Sequence, residues 1–168
     1  MVVAMAVAGC GGTQPSPKQG QSSQPTCSTG QLATTLGQIG AGTGQRYLTV
    51  IFQNTGNTAC HLDGYPSVVA QGSAHVESRA AKRFTGNGPP TDVTITPGGA
   101  ASALVQTGDV QMNGLTCVTY QKLQVKPPGS GRNTTLMLSG TGLEGPQGSG
   151  LYSCGSVFVG PVQDGVNH

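Results

Sequence analysis

Five cysteines and three histidines are the residues of this chain best suited to chemistry. They are Cys10, Cys27, Cys60, Cys117, Cys154, His61, His75 and His168. The cysteine spacing contains no CxxC pair and therefore lacks the ligand pattern of a zinc site. A cysteine nucleophile needs a histidine base within reach. Cys60 and His61 are adjacent, but neighbouring residues of a strand point to opposite faces. We therefore predict that Cys60 forms a disulfide and has no catalytic role.

Metal sites and familiar catalytic motifs are not indicated by the sequence either. It contains no G-x-S-x-G elbow, no P-loop and no G-x-G-x-x-G after a strand. His61 and Asp63 share one strand face and offer two metal ligands without a third. Met112 and Cys117 are close in sequence, but a blue-copper site also needs histidines. We expect no catalytic residue, no metal and no cofactor, and we predict that the protein is not an enzyme.

Two other function classes stay open as alternatives. The first is an envelope enzyme whose active site is assembled from scattered residues. Three or more of the following in one cleft would favour it: His61, Asp63, His75, Glu77 and Asp109. The second is a carrier of a small apolar ligand, which an unfilled cavity inside the fold would favour.

Arg79, Lys82 and Arg83 form the basic cluster of the chain. They lie in a polar segment predicted to be a loop, where solvated cations are common. As a candidate surface contact, the cluster could bind an envelope protein, an anionic lipid or a wall polymer, with about 1 kcal/mol per charge near a membrane. The net charge of +2 is too small for an electrostatic nucleic-acid binder, so no nucleic-acid partner is expected.

The elements that position these residues are predicted to be strands. Of 168 residues, 28 are Gly and 11 are Pro, 8% are charged and none is Trp. This composition excludes a helical bundle or coiled coil, and no run reaches the roughly 20 apolar residues of a membrane-spanning helix. Short strand-like runs bounded by Gly, Pro and Asn recur instead. They are Gln31–Ile39, Arg46–Gln53, Pro66–Gln71, Asp92–Thr96, Ala100–Gln106, Leu115–Tyr120, Lys122–Lys126, Thr134–Leu138 and Ser156–Val159.

Two of these features carry specific expectations. Arg46–Gln53 is apolar on both faces, which is typical of a strand in the middle of a sheet. Asp92–Thr96 and Ala100–Gln106 flank a Pro-Gly-Gly turn, which predicts a hairpin. The whole pattern predicts an all-β protein, an immunoglobulin-like antiparallel β-sandwich of about 7–9 strands over residues 27–162. Residues 163–168 are predicted to be a C-terminal tail.

The first 26 residues are predicted to export and anchor the protein. Residues 1–9 are interpreted as a signal-peptide remnant with its apolar region and lipobox, because two small residues precede Cys10. No Lys or Arg precedes Cys10, so we expect the basic n-region to lie upstream. Residues 10–26 are predicted to be the lipidated Cys10 and a flexible, disordered linker, because they are polar and almost uncharged.

A diacylglyceryl group at Cys10 supplies two hydrophobic chains, and two are needed for stable membrane attachment. The membrane is therefore the expected partner of this end of the chain. The predicted location is the outer face of the cell membrane, with partial release to the cell wall or the medium as an alternative.

The other four cysteines are predicted to form Cys27–Cys60 and Cys117–Cys154. Export places them in an oxidising compartment, where paired thiols persist. Four cysteines allow three connectivities, and we favour the sequential one. Cys27 precedes the first strand and Cys60 follows the turn after the next strand, while Cys117 and Cys154 bracket the last strands.

Four segments of the chain carry a resemblance to a known family. In order they are RYLTVIFQNTGNTACHLDGYP (46–66), VTITPGGAASALVQ (93–106), LQVKPPG (123–129) and SVFVGPV (156–162). With Cys27 before them and Cys117 among them, they resemble the actinobacterial family called domain of unknown function 4232, over about residues 27–162. The resemblance implies a secreted or lipid-anchored envelope protein with a β-sandwich fold, and it lends no catalytic residue. Binding or scaffolding in the cell envelope is the expected function.

Overall fold

The computed structural model describes residues 24–73, 76–112, 114–145 and 148–166. The predicted signal remnant (1–9), Cys10, most of the linker, His75 and His168 lie outside the described residues. Within the described ranges the chain forms strands and no helix, which confirms the all-β prediction. Accordingly, these ranges contain no helix of the length and apolarity needed to cross a membrane.

The described residues form sixteen strands, five of which are only two residues long. In chain order they are β1 (Leu32–Gly42), β2 (Gln45–Asn54), β3 (Cys60–Asp63), β4 (Ser67–Gln71), β5 (Arg79–Ala80), β6 (Lys82–Arg83), β7 (Asp92–Ile95), β8 (Ala100–Gly108), β9 (Cys117–Tyr120), β10 (Lys122–Lys126), β11 (Thr134–Met137), β12 (Glu144–Gly145), β13 (Gly148–Ser149), β14 (Leu151–Cys154), β15 (Val157–Val159) and β16 (Gln163–Asp164). The number exceeds the predicted one because the two-residue strands are too short to leave a periodic pattern in the sequence, and because the four-residue strands β3 and β14 are not among the predicted runs.

Two sheets form the body of the molecule. The larger has the order β1-β2-β8-β15-β6, with β16 also pairing along β8, and the smaller has the order β11-β10-β4-β5. The pairs β3–β7, β9–β14 and β12–β13 form separate ribbons. Among the described strands only β6 and β15 pair in parallel. Buried apolar side chains from both sheets belong to one core cluster, as the predicted β-sandwich requires.

Strand β2 is an interior strand of the larger sheet and lies between β1 and β8. Its residues Leu48, Val50 and Phe52 are fully buried. The two-residue turn Thr43-Gly44 joins β1 to β2, and both turn residues have positive φ, 51° and 76°. This is the type I′ geometry, whose twist matches that of the paired strands. The prediction that Arg46–Gln53 forms an interior strand is confirmed.

The predicted hairpin around Pro97-Gly98-Gly99 is wrong. Strand β7 pairs with β3, and β8 pairs with β2, so these residues carry the chain from one set of partners to another. The Gly98 N–H donates to the Asn54 carbonyl at 2.8 Å, and the Asn54 N–H donates to the Gly99 carbonyl at 2.9 Å. The turn is therefore bonded to the end of β2, which leaves β8 to continue beside β2 instead of folding back on β7.

The segment with the basic residues forms two short strands instead of the predicted loop. Arg79–Ala80 (β5) pairs with β4 in the smaller sheet, and Lys82–Arg83 (β6) pairs with β15 in the larger sheet. Between them, the Ala81 N–H donates to the Val68 carbonyl at 2.8 Å. The chain thus crosses from one sheet to the other at the edge of the sandwich.

Both ends of the described chain join the strand pairing. Thr26 forms a parallel bridge with His61, and the His61 N–H donates to the Pro25 carbonyl at 3.0 Å. At the other end, Gln163–Asp164 forms β16 beside β8. Strand pairing therefore extends slightly beyond residues 27 and 162, into the segments predicted to be linker and tail.

Candidate functional site

Both predicted disulfides are present. The Cα atoms are 4.8 Å apart in Cys27–Cys60 and 4.0 Å apart in Cys117–Cys154. Cys117 and Cys154 are direct cross-strand partners in β9 and β14, whereas Cys27 joins the segment before β1 to the start of β3. Because all four sulfur atoms are bonded to each other in pairs, none of them is a thiolate nucleophile or a metal ligand.

The two disulfides lie at opposite ends of the sandwich. Cys60 lies near the end of β2 at Asn54, and residues 24–26 bond to β3 there, so we call this end the N-terminal pole. The Cys154 carbonyl lies next to Gly108 at the end of β8, opposite the start of β2. We call this second end the distal pole.

The outer face of the larger sheet carries a row of side chains from three neighbouring strands. Strand register places Tyr47 of β2 opposite Gln106 of β8, and Gln106 opposite Phe158 of β15. Residues that oppose each other in paired strands share a face. Their chain neighbours Leu48 and Val105 are fully buried in the core, so the row faces outward. Tyr47 is 38% exposed.

Both ends of this row are held by neighbouring residues. Gly40 of β1 is the register partner of Tyr47, and a Cβ at Gly40 would overlap the Tyr47 ring. The Tyr47 ring can therefore lie across β1 only because Gly40 has no side chain. At the other end, Phe84 packs edge-on against Phe158, with ring centroids 6.4 Å apart and ring planes at 61°.

Two adjoining hollows lie along this row. The first has a volume of about 510 Å³ and is lined by Tyr47, Asn87, Leu104, Gln106 and Gln163. The second has a volume of about 320 Å³ and is lined by Gln45, Phe84, Gln106, Thr107, Gly108 and Phe158. They share Gln106, and we call them together the outer-face groove. Its lining consists mainly of amide side chains and aromatic rings, and each hollow is within the size range of small-molecule sites, roughly 300–1,000 Å³.

Strand β16 and the turn before it position part of the groove. Gln163 is the register partner of Ser102 in β8, and its side-chain amide donates to the Asn87 carbonyl. The Gly160 N–H donates to the Leu104 carbonyl at 2.8 Å. The shape of the groove therefore depends on contacts between segments that are far apart in sequence.

The residues proposed for a scattered active site have separate surroundings. His61 Nδ1 donates to a backbone carbonyl of the N-terminal segment at 2.6 Å. Asp63 and Glu77 are exposed, and Asp109 accepts from Arg46 Nε at 3.2 Å near the distal pole. Within the described ranges, no group of three or more His, Cys, Asp or Glu side chains is placed to hold a metal ion.

The three basic residues also differ in their surroundings. Arg79 Nε donates to the Tyr120 hydroxyl at 3.2 Å. The Arg83 guanidinium lies 5.2 Å from the centroid of the Tyr65 ring, a cation–π contact. Lys82 is exposed on β6, at the edge of the larger sheet. The three charges are thus divided between both sheets and are not gathered on one strand face.

The groove residues are the functional candidates that the sequence analysis missed. Alternation along Arg46–Gln53 separates Tyr47 from the buried Leu48, and this signal could have marked Tyr47 as outward-facing. Gln106 and Phe158 become its neighbours only through strand register. Nothing in the local sequence of β8 or β15 specifies that register, because neither is joined to its partner by a short turn.

Comparison with known families identifies the region that carries this fold. The family model described as "Domain of unknown function (DUF4232)" matches residues 27–163. No match is found among curated proteins or among solved structures. The matched range spans every strand from β1 to β15 and includes all residues that line the outer-face groove.

Proposed function

The chain belongs to the DUF4232 family, and from its site we propose that it is a lipid-anchored envelope protein that binds a ligand in the outer-face groove. In this proposal Cys10 carries the lipid, and the β-sandwich acts as a binding or scaffolding module and not as an enzyme. The two disulfides support a location in an oxidising compartment outside the cytoplasm.

The observation that carries the binding role is the chemistry of the groove lining. Its described residues supply amide, hydroxyl, aliphatic and aromatic groups. Amides and rings form hydrogen bonds and apolar contacts. General acid–base catalysis instead needs a group that exchanges a proton near the working pH, and the lining includes no carboxylate or imidazole among those residues. The lining therefore favours binding over turnover.

The lipid anchor is supported by the sequence before the fold. Val7-Ala8-Gly9 precedes Cys10, and Cys10 is the odd cysteine beside two disulfide pairs. The linker enters the sandwich at the N-terminal pole, where the Pro25 carbonyl accepts from the His61 N–H. A flexible polar linker of this length spans about 20 Å. The linker thus joins the sandwich at the pole opposite the hollow beside Phe158, so an anchor at Cys10 would leave that hollow accessible.

The anchor is tested by replacing Cys10 in a gene that carries a complete signal peptide. We expect Cys10→Ala to move the protein from the detergent phase to the aqueous phase, because the residue that takes the diacylglyceryl group is gone. Ser22→Ala, a change elsewhere in the linker, is the matched control and should partition as the wild type does. If Cys10→Ala still enters the detergent phase, the anchor is assigned to the wrong residue.

A further inference from the structure

The lining of the outer-face groove is polar but uncharged. Among its described residues there is no Asp, Glu, Lys, Arg or His. Charged side chains lie beside the groove but outside the lining of both hollows. Lys82 is the register partner of Phe158 on the same face, and Asp92 and Asp164 line a further hollow that shares Gln163 with the first. A phosphate or carboxylate ligand needs cationic or multiple N–H partners to replace its lost water. The groove therefore favours a ligand without net charge.

Four amide side chains supply most of the polar groups in the groove. They belong to Gln45, Asn87, Gln106 and Gln163. A primary amide donates through its NH₂ group and accepts through its oxygen. A hydroxyl group also donates and accepts, so a ligand with many hydroxyls can bond to these amides both as donor and as acceptor. A purely apolar ligand would displace water from these amides without replacing its hydrogen bonds, which disfavours its binding.

Aromatic rings supply the apolar part of the same surface. Tyr47 and Phe158 lie two strands apart with Gln106 between them, so their backbones are about 10 Å apart at the usual strand spacing. The face of an aromatic ring is a flat apolar platform. A sugar ring presents an apolar C–H face of similar size, while its hydroxyls project from the edge.

We infer that the outer-face groove binds a neutral carbohydrate. Sugar rings stack on Tyr47 and Phe158, and sugar hydroxyls bond to Gln106 between them. The two hollows lie on either side of Gln106, and this arrangement along the row suits several units of a glycan chain better than one small molecule. The inference names the class of ligand for the proposed function. It rests on that function only for the location of the glycan in the cell envelope.

The test uses the full chain with Cys10→Ala, folded in an oxidising compartment so that both disulfides form. The protein is titrated against neutral polysaccharides built from α- or β-linked glucose, mannose, galactose or arabinose. Polygalacturonate serves as the anionic probe. We expect saturable binding to at least one neutral polysaccharide and weaker binding to polygalacturonate, because the groove lining offers no cation to pair with a carboxylate.

Variants of the row locate the binding to the groove. Tyr47→Ala and Gln106→Ala should each weaken the affinity about tenfold or more, which corresponds to one well-formed contact. Tyr47→Phe keeps the ring and should retain most of the affinity. Met137→Ala is the control, because Met137 is 57% exposed on β11 of the other sheet, and it should bind as the wild type does. Thermal unfolding of each variant verifies that it is folded.

Four results would overturn the inference. They are binding to none of the neutral polysaccharides, tighter binding to polygalacturonate, unchanged affinity in both Tyr47→Ala and Gln106→Ala, and self-association that Tyr47→Ala abolishes. The last result would assign this face to a second copy of the chain.

All these measurements use protein that lacks the Cys10 thiol. A failed anchor test therefore leaves the glycan result standing, and a failed glycan test leaves the anchor standing.

Discussion

At the residue scale, Asn54 illustrates how one buried polar side chain directs the backbone around it. Its Nδ2 donates to the Thr58 carbonyl at 2.8 Å and to the Ile95 carbonyl at 3.0 Å. Its Oδ1 accepts from the Gly56 N–H at 2.9 Å, and the residue is fully buried. The side chain thus joins the end of β2 to the turn after it and to the end of β7.

Replacing Asn54 is therefore predicted to be costly. Asn54→Ala leaves three backbone groups without their partner, and we expect the free energy of unfolding to fall by about 3 kcal/mol. Asn57→Ala is the matched control in the same turn, because Asn57 is exposed, and it should change stability by no more than about 0.5 kcal/mol. Guanidinium unfolding of both variants measures the difference. Equal losses would contradict this account of Asn54.

At the element scale, the pairing of β14 with β9 depends on the residue that precedes β14. Gly150 has φ of +139°, a backbone conformation that suits glycine. A Cβ at this position would overlap the backbone carbonyl oxygen of Tyr120, the last residue of β9. The Gly150 N–H also donates to the Leu143 carbonyl at 3.2 Å. The chain therefore enters β14 through a site with no room for a side chain.

This geometry predicts a large effect from the smallest substitution. Gly150→Ala should lower the free energy of unfolding by about 2–3 kcal/mol, because both the backbone conformation and the Tyr120 carbonyl oppose the new Cβ. Gly131→Ala is the control, since Gly131 is exposed and has open space around its Cα. Thermal or denaturant unfolding should find the control close to the wild type. A Gly150→Ala variant as stable as that control would contradict the prediction. It would show that small backbone shifts relieve the contact with the Tyr120 carbonyl.

The sequence predicts the elements of this fold better than it predicts their partners. Alternation and β-branched residues identified Arg46–Gln53 as an interior strand. The Pro-Gly-Gly turn gave the wrong pairing, because the same local signal suits a hairpin and a crossing between strands. The hydrogen bonds of Asn54, which are remote in sequence, decide between them. Strand β14 was not predicted, since Leu151–Cys154 is only four residues long and follows a glycine-rich run; it is held by β9 and the Cys154 disulfide.

The candidate site was less predictable than the fold for the same reason. Both disulfides followed from the order of cysteines and strands along the chain, which the sequence shows directly. The groove instead combines residues from β2, β8, β15 and β16 with Phe84 and Asn87, which lie between β6 and β7. Only the register between these strands brings Tyr47, Gln106 and Phe158 into one row, and register across unconnected strands leaves no mark in the sequence.

At the scale of the whole molecule, one disulfide closes each pole of the sandwich. The sequence separations are 33 residues for Cys27–Cys60 and 37 for Cys117–Cys154. In the chain-entropy model, loops of this length each destabilise the unfolded state by about 4 kcal/mol. The two bonds are therefore comparable in their contribution, although one fastens an end of the described chain and the other joins two paired strands.

We predict that removing either disulfide lowers the free energy of unfolding by a similar amount, about 4 kcal/mol. The variants are Cys27→Ala with Cys60→Ala, and Cys117→Ala with Cys154→Ala, each changing both partners so that no free thiol remains. Guanidinium unfolding under non-reducing conditions measures both, with the wild-type protein as reference. A loss below about 1 kcal/mol for either pair would contradict the loop-closure explanation for that bond.

The Cys27–Cys60 bond also determines how the domain bears mechanical load. A pull on the N-terminus first strains the hydrogen bonds of Pro25 and Cys27 to His61. The force then passes through the disulfide to Cys60, at the start of β3, without crossing residues 28–59. The long β1–β2 hairpin lies inside that closed covalent loop and is relieved of tension. The load falls instead on the pairing of β3 with β7, which has four residue pairs. We therefore expect this short ribbon to be the first strand pair to separate under load.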